Sequence, residues 1–498
     1  MIHLHTHSSY SVGDAVGTPE DIVRQAAAIG SRGLAISEHG NLSSTPRFIR
    51  ACSDKTIVGN NPIKPIIGME AYFHDGSLQL QPQGQEKVKL HRLNTGHLLI
   101  GAMNRKGYEN LVALNNESHH PDNFYFVPRM DWEMLDKYSE GLYCTSSCAS
   151  GLVGNALIKH NSEELAEHRV KNMRDIFGDN FYLEVQPTDF SEQARINDVC
   201  TNLWHKLDIP LITTCDVHYP EAGMADLRSV RWAINQRKLY TEVIEDHMPA
   251  NLWLQTDAEV YESYKDRPLD SHVIGAAIDN THKICDGVEE YGIGVETNLP
   301  QAVPGNPNEY LRTVCLKKLQ RINKVNEVYL ERLLKELSLI ISKGFSNYFI
   351  IVADLIAYAK HNRIAVGPGR GSATGSLVAY LLGITSVDPI PHNLLFERFL
   401  SEDREELPDI DIDIQDDRRH EVVEYFREKY SNVFNVTTYS MFKVRGLLRD
   451  TMRIMDIKDK PPEPGREVDS VEELMGISLT TKALIHRHPV LKEITQIA

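Results

Sequence analysis

The 498-residue sequence has no apolar run approaching the roughly 18 residues that a bilayer-spanning helix needs, which excludes a transmembrane span. Its start, MIHLHTHSSYS, lacks the basic segment and apolar stretch of a secretory leader. Cysteine is sparse. The seven present (Cys52, Cys144, Cys148, Cys200, Cys215, Cys285 and Cys315) are odd in number and scattered, which fits a reducing cytoplasm better than a disulfide framework. Internal repeats and low-complexity segments are absent. A basic surplus is lacking too: 53 Lys and Arg stand against 69 Asp and Glu, a net charge of −16, which taken alone argues against nucleic acid as a partner. The local balance differs, because Arg418–Arg453 holds eight basic and four acidic residues. Acids that bind cations would inflate the negative total without repelling DNA.

What is present points to phosphate chemistry. Ser401–Ile414 reads SEDREELPDIDIDI and places Asp409, Asp411 and Asp413 two residues apart. In a β-strand that spacing puts all three carboxylates on one face. Two carboxylates ~4 Å apart repel by roughly 4 kcal/mol at an effective dielectric near 20, so a chain that crowds them usually has cations to hold. Shortly before, Gly367–Ser376 reads GPGRGSATGS, a glycine-rich turn with a guanidinium, the kind of loop whose backbone N–H groups approach phosphates. Metal-holding carboxylates beside a phosphate cradle suggest phosphoryl transfer to or from a nucleotide.

A hydrophobic content of 42% and 24% charged residues describe a soluble globular chain, too long for one ordinary core. Up to about residue 225, short apolar runs alternate with helical stretches: GLAIS at 33–37, KPIIG at 64–68, HLLIG at 97–101, LYCTS at 142–146, YLEV at 182–185 and PLITT at 210–214. That rhythm predicts a βα barrel or a layered α/β domain. Residues 226–300 form a connecting piece that ends in the linker NLPQAVPGNPNEY. The pattern is helical from Tyr310 to His361, and mainly helical again after Tyr439.

His3, His5 and His7 alternate and would share one face of a strand. Alone, such a pattern is weak evidence of a metal site. Here further ligand types recur near the ends of the apolar runs: Asp14, Glu38 with His39, Glu70, His97, Cys148, and Asp216 with His218. In a βα barrel functional residues gather at the C-terminal ends of strands, so these would converge on one mouth. A mixture of His, Asp, Glu and Cys suits Zn²⁺ or Mn²⁺ better than an all-oxygen Mg²⁺ site.

This series, seen in LHTHSSYS, ISEHGNL, IIGMEAYF, GHLLIGA, TSSCASG and TTCDVHY, resembles the PHP (polymerase and histidinol phosphatase) domain. The resemblance implies a distorted (β/α)7 barrel over 1–225 with up to three Zn²⁺ or Mn²⁺ ions. Matched one by one, the ligands fall on His5, His7, Asp14, His39, Glu70, His97, Cys148, Asp216 and His218. His3 is an additional neighbour outside that set, Glu38 stands where relatives often have Asp, and Glu184 in YLEVQ is a candidate outer acid. The implied activity is metal-assisted phosphodiester hydrolysis, as a 3′–5′ exonuclease.

The stretch YFIIVADLIAYAKHNRIAVGPGRGSATGSLVAYLLGITSVDPIPHNLLFERFLSEDREELPDIDID resembles the palm of bacterial family C replicases, the DNA polymerase III alpha family. A PHP domain ahead of this palm is the same family's order, so the whole chain is expected to be an α/β multidomain protein. A polymerase-beta-like α+β palm over 301–440 would be followed by a helical thumb segment over 441–498. The resemblance assigns contact with the incoming dNTP to Gly369, Arg370, Gly371 and Ser372, and the two catalytic aspartates to Asp409 and Asp411, which would hold two Mg²⁺ ions. Asp413 is adjacent and outside the match. In TTYSMFKVRGLLRDTMRIM, Arg445, Arg449 and Arg453 recur every four residues beside Lys443, a stripe expected to track the phosphates of a primer–template DNA. Relatives have Lys where Arg445 stands, which keeps charge but not geometry.

The resemblance breaks at one point. The family requires a third catalytic aspartate and a fingers region beyond Ala498. The expectation is therefore the N-terminal portion of a replicase, bacterial or phage-encoded, either split and completed by a second polypeptide or a truncated fragment completed by the rest of its own protein. The competing readings are a stand-alone PHP phosphoesterase acting on small phosphomonoesters, and a non-catalytic scaffold that binds DNA or a partner.

Overall fold

The computed structural model describes residues 1–76, 78, 84–245, 249–265, 269–293, 299–403, 407–430, 433, 435–436, 438–439, 443–460, 468 and 470–492, the side chains of 84–87 and 90 excepted. Asn298 of the expected linker, 404–406 of the acidic stretch, 441–442 at the expected palm–thumb border and 493–498 lie outside the described residues. The chain divides into two compact units: Met1–Ile293 together with Met441–Ala498, and Gly294–Ser440.

The first unit is built around eight strands: β1 (Gly33–Ile36), β2 (Lys64–His74), β3 (Thr95–Ala102), β4 (Phe124–Tyr125), β5 (Val127–Met130), β6 (Leu142–Thr145), β7 (Phe181–Val185) and β8 (Leu211–Thr213). The six apolar runs of the sequence supply β1, β2, β3, β6, β7 and β8. The first helix, Pro19–Ala28, starts where chemistry dictates. Thr18 and Asp21 form a reciprocal capping box and Pro19 occupies the first turn, while Ile22, Val23 and Ala26 point into the core.

Strand order runs β1–β2–β3–β6–β7–β8, with β4 and β5 appended on the β2 edge. β1 and β2 are parallel, and so are β6, β7 and β8, but β3 is antiparallel to both of its neighbours. The N-terminal segment closes the ring. On one side His3 bridges Leu34, and Ser37 N donates to Thr6 O at 2.8 Å. On the other, Val217 N donates to His5 O at 3.0 Å and His7 N to Val217 O at 2.8 Å. The histidine segment thus forms the seventh stave of a closed barrel, distorted by the reversal of β3.

This unit runs past the sequence-based division at 225 and takes up the segment that follows the one at 440, because apolar packing ties both stretches to the barrel side of the chain. Helix Ser271–Gly287 sends Val273, Ile274, Ala277 and Ile278 into the barrel core. Helix Val444–Ile454 joins helix Ala225–Gln236 through Ile454, Val230, Ala233 and Val243. Residues 443–492 add a small core of their own around Leu448, Met452, Leu474, Leu484 and Leu491.

The second unit is helical among its described residues. Helices Pro307–Arg321, Glu327–Ser342, Ser346–His361 and Leu377–Leu382 enclose Leu311, Leu333, Leu337, Ile340, Phe349, Leu377, Phe396 and Phe399. The acidic segment, expected as a strand, is present as one antiparallel bridge, Val366 to Ile414, with hydrogen bonds from Gly367 N to Asp413 O and from Gln415 N to Ala365 O. Two backbone bonds are too few for a ladder, but the alternation survives. Ile410 and Ile412 lean on the core while Asp409 and Asp413 are exposed and Asp411 partly so. Among the described residues no single helix is long and apolar enough to cross a membrane.

Candidate metal centre and phosphate turn

All nine residues expected as PHP ligands meet at one end of the barrel. Glu70 is at their centre. Its buried carboxylate faces His39 Nδ1 at 2.7 Å, His97 Nδ1 at 3.0 Å, His5 Nε2 at 3.1 Å and His7 Nε2 at 3.6 Å. Cys148 Sγ lies 3.4 Å from the same carboxylate and Ser147 Oγ donates to it at 2.8 Å. Asp216 reaches His5 at 3.2 Å, His7 at 3.5 Å and His218 at 3.6 Å. Asp14 sits between His39 at 3.3 Å and His218 at 3.5 Å.

Two of these residues break the strand-end rule, His97 because β3 is reversed and Glu70 because β2 runs on past KPIIG to His74. His97 lies near the beginning of its strand, yet an antiparallel strand brings its beginning to the mouth where its neighbours end. Glu70 sits in the middle of β2, opposite Leu99 of β3, and is bridged on its other side by His39. Asp216 and Ser147 hold left-handed backbone angles, φ +47° and +59°, a conformation that costs side-chain-bearing residues energy and clusters at functional sites.

Five buried atoms in this cluster, His5 Nε2, His7 Nε2, His39 Nδ1, Glu70 Oε2 and Asp216 Oδ1, face oppositely charged groups at 2.7–3.6 Å without forming a well-aligned hydrogen bond among the described residues. A folded chain rarely leaves buried polar atoms unsatisfied. Three triads, His7–His39–His218, His5–His7–Asp216 and His39–Glu70–His97, each bring three donor atoms within 4.8 Å of one another. Imidazole nitrogens and carboxylate oxygens converging on common points fit divalent cations.

The protonation pattern agrees. Burial opposes charge on His5 and His39, but Asp216, Glu184 and Glu70 around the first, and Asp14 and Glu70 around the second, outweigh it and hold both pKa values well above the usual imidazole range. His7, buried beside His39, is pushed down to about 3. Burial also raises Glu70, yet His97, His5 and His39 bring its carboxyl well below its ordinary value. Burial, then Glu70 and Asp216, push the Cys148 thiol up. The carboxylates that raise His5 and His39 are the groups that would favour a bound cation as well.

A second layer orients these ligands. Glu184, fully buried, lies 2.8 Å from His5 Nδ1 and accepts from Gln186 Nε2 at 2.8 Å and from the Thr145 and Thr214 hydroxyls. Glu38 accepts from Ser11 Oγ at 2.6 Å, and Ser11 Oγ lies 2.9 Å from His7 Nδ1, so Glu38 acts on His7 through a serine. His3 turns away to Gln255 O at 2.9 Å and stays outside the cluster. Sequence reasoning missed Ser11, Ser147 and two arginines of helix Ala225–Gln236, Arg228 and Arg231. None is a ligand type at a strand end, so nothing in the strand pattern pointed to them.

In the second unit the glycine turn and the acidic segment lie together. Arg370 Nη2 is 3.1 Å from Asp411 Oδ1, and Arg370 Nε is 3.7 Å from Asp413 Oδ1. Gly369 and Gly371 have φ of +101° and +67°, and a Cβ on Gly371 would stand 2.9 Å from Asp411 Oδ2, so glycine is required by both angle and space. Ser372 and Asp409 are exposed. Beneath the turn, buried Glu336 accepts from Ser376 Oγ at 2.9 Å, Leu377 N at 2.9 Å, Val378 N at 3.0 Å and Arg332 Nε at 2.7 Å. In the first unit, Lys443, Arg449 and Arg453 are exposed on or beside helix Val444–Ile454, Arg445 is half-buried, and Arg453 Nη2 donates to Ile234 O at 3.3 Å.

Two family models match the chain: the PHP domain over residues 3–188 and the bacterial DNA polymerase III alpha NTPase domain over 309–497. The DNA polymerase III subunit alpha of Aquifex aeolicus is 36% identical over 92% of this chain and 40% of its own length. That of Treponema pallidum is 34% identical over 95% of this chain and 39% of its own length. The chain therefore spans about two fifths of the length of these relatives. Among solved structures, an amidohydrolase from Chromobacterium violaceum overlaps 44% of this chain and 88% of its own at 13% identity and a TM-score of 0.28, too slight a likeness to argue from.

Proposed function

The chain belongs to the bacterial DNA polymerase III alpha family, and from that membership we propose that it is the nuclease-and-palm portion of a replicative DNA polymerase acting in the cytoplasm. The single observation that carries the hydrolytic half is the set of five buried imidazole and carboxylate atoms gathered around Glu70 that face one another without well-aligned hydrogen bonds. His5, His7, Asp14, His39, Glu70, His97, Cys148, Asp216 and His218 would hold up to three Zn²⁺ or Mn²⁺ ions. When bound, such ions polarise the phosphoryl oxygens and supply a nucleophile at neutral pH. The protein's own part is to keep the ligands aimed. Glu184 fixes the ring of His5, Ser11 and Glu38 fix His7, and Cys148 gives up its proton only to a cation. The substrate in this reading is a DNA 3′ end.

In the palm half, Asp409 and Asp411 would hold two Mg²⁺ ions and Gly369–Ser372 would receive the dNTP triphosphate. Arg370, which pairs with Asp411 and Asp413, would neutralise the triphosphate, leaving Asp409 and Asp411 to hold Mg²⁺. Lys443, Arg445, Arg449 and Arg453 would follow the backbone of the primer–template. Template-directed synthesis in this reading also needs a third aspartate and a fingers region, carried either by the rest of the protein or by another chain.

The test is direct. Purified protein loaded with Mn²⁺ should shorten a labelled primer from its 3′ end, and His7→Ala with Glu70→Gln should abolish this. Cleavage of a small phosphomonoester with no shortening of DNA would replace the exonuclease reading by the stand-alone phosphoesterase. A protein that binds no Zn²⁺ or Mn²⁺ would leave the scaffold.

A further inference from the structure

Helix Ala225–Gln236 carries two cations whose place the ligand set does not explain. Arg228 is 7% exposed, its Nε has no partner, and its one hydrogen bond runs from Nη1 to Pro249 O at 3.5 Å. Arg231, half-buried, donates from Nη2 to Ser9 O at 3.1 Å. Arg228, Arg231 and Asn235 are spaced three and four apart and share one helix face. That face lies on the loop carrying Asp14: besides the Arg231–Ser9 bond, a Cβ on Gly13 would stand 2.6 Å from Asn235 Nδ2. Asp14, Asp216 and Asp189 act on Arg228 through space, and Asp14 and Glu38 on Arg231. Yet neither arginine forms an ion pair among the described residues, so one buried and one half-buried guanidinium group stand beside the loop of Asp14, the buried one with its Nε unspent. A buried charge with an unused donor is costly unless a counter-charge arrives.

Loading the site sharpens the point. Three divalent cations would match the summed negative charge of Asp14, Glu70, Asp216, Glu38, Glu184 and the Cys148 thiolate, so no carboxylate there would be left to balance the arginines. The local charge becomes positive, and only an anion restores it. An arginine fork matches tetrahedral oxyanions, donating two parallel N–H bonds.

We propose that Arg228 and Arg231 form a phosphate-binding subsite at the rim of the barrel mouth, which seats the phosphoryl oxygens of a phosphate ester beside the metal centre. This deepens the hydrolytic reading above and rests on it. Neither residue donates or accepts the proton of the reaction. They bind and orient the anion.

Orthophosphate is the probe. The full chain is loaded with Mn²⁺, freed of excess metal and titrated with phosphate by calorimetry. Metal content is measured on the same samples, and Arg231→Gln, Arg228→Gln and Arg228→Lys are compared. The expectation is a phosphate affinity weakened by roughly tenfold or more in each Gln variant, the loss of one charge-assisted hydrogen bond, at unchanged metal content. Arg228→Lys keeps the charge and should lie between. Were Arg228→Gln to misfold, Arg231→Gln and Arg228→Lys would still decide. Unchanged phosphate affinity in those two variants, or a loss that only parallels lost metal, overturns the subsite. If the wild type hydrolyses no phosphate ester but the variants lose phosphate binding, the subsite stands and the hydrolase reading falls. If hydrolysis proceeds while phosphate affinity ignores the substitutions, the reverse holds.

Discussion

Replacing Glu184 by Gln separates charge from shape at the centre of the barrel. Three donors, His5 Nδ1, Gln186 Nε2 and the Thr214 hydroxyl, meet Oε1, and the Thr145 hydroxyl meets Oε2. A carboxamide can place its oxygen at the Oε1 position and turn its NH₂ toward Thr145, whose hydroxyl can accept instead of donate. The hydrogen-bond count then survives, the volume is unchanged and only the negative charge behind His5 is removed. Stability of the metal-free protein should change by less than about 1 kcal/mol, the scale of a single neutral hydrogen bond. Metal affinity should fall by about 10- to 100-fold, the usual effect of losing an outer partner of a ligating histidine. That loss corresponds to roughly 1.4–2.7 kcal/mol. The same substitution lowers the proton affinity of His5, which the carboxylates hold above its usual range, so the loss should be largest at alkaline pH, where protons no longer compete. Competition with a chromophoric chelator across pH, beside urea unfolding of the metal-free protein, measures both quantities. Unchanged metal affinity with a large loss of stability would refute the reasoning and make Glu184 a purely structural acid.

Glu336→Ala should destabilise the Gly294–Ser440 unit by about 3–5 kcal/mol in urea unfolding, since Arg332 loses a buried counter-charge and three further donors lose their acceptor. A cost below about 1 kcal/mol would show that water enters and replaces the carboxylate. Asp388 gives a pH-dependent case: burial raises its carboxyl, but Lys324 and Tyr329 pull it below the ordinary value. Its contribution is therefore present above the unfolded carboxylate pKa and lost as pH falls through the lower folded value. Asp388→Asn should flatten that part of the acid limb, and an unaltered limb would remove Asp388 from the account.

The alternation of His5 and His7, the ligand types after GLAIS, LYCTS and PLITT, and the spacing of Asp409, Asp411 and Asp413 were legible because each follows from local periodicity. Side chains two apart on an extended segment share a face whatever surrounds them. The six apolar runs were legible as strands for the same reason. The glycine turn could be read from composition, since only glycine accepts φ of +101° and +67° without strain.

Other features became visible only in the folded chain. That β3 runs against its neighbours is a property of pairing, and no residue of HLLIG announces it, yet it brings His97 from the beginning of a strand to the mouth. Glu336 reads as one more acid on the amphipathic helix Glu327–Ser342, until the N-terminus of Leu377–Leu382 docks on it. The acidic segment has the sequence of a strand but finds a single backbone partner, at Val366. Arg228 and Arg231 look like solvated charges on a helix until tertiary packing buries them against the loop of Asp14. The sequence by itself determined which side chains were available and which local faces they share, because those depend on neighbours along the chain. Which faces meet was decided by tertiary structure, because strand direction, barrel closure and helix docking are settled by apolar burial between segments far apart in sequence.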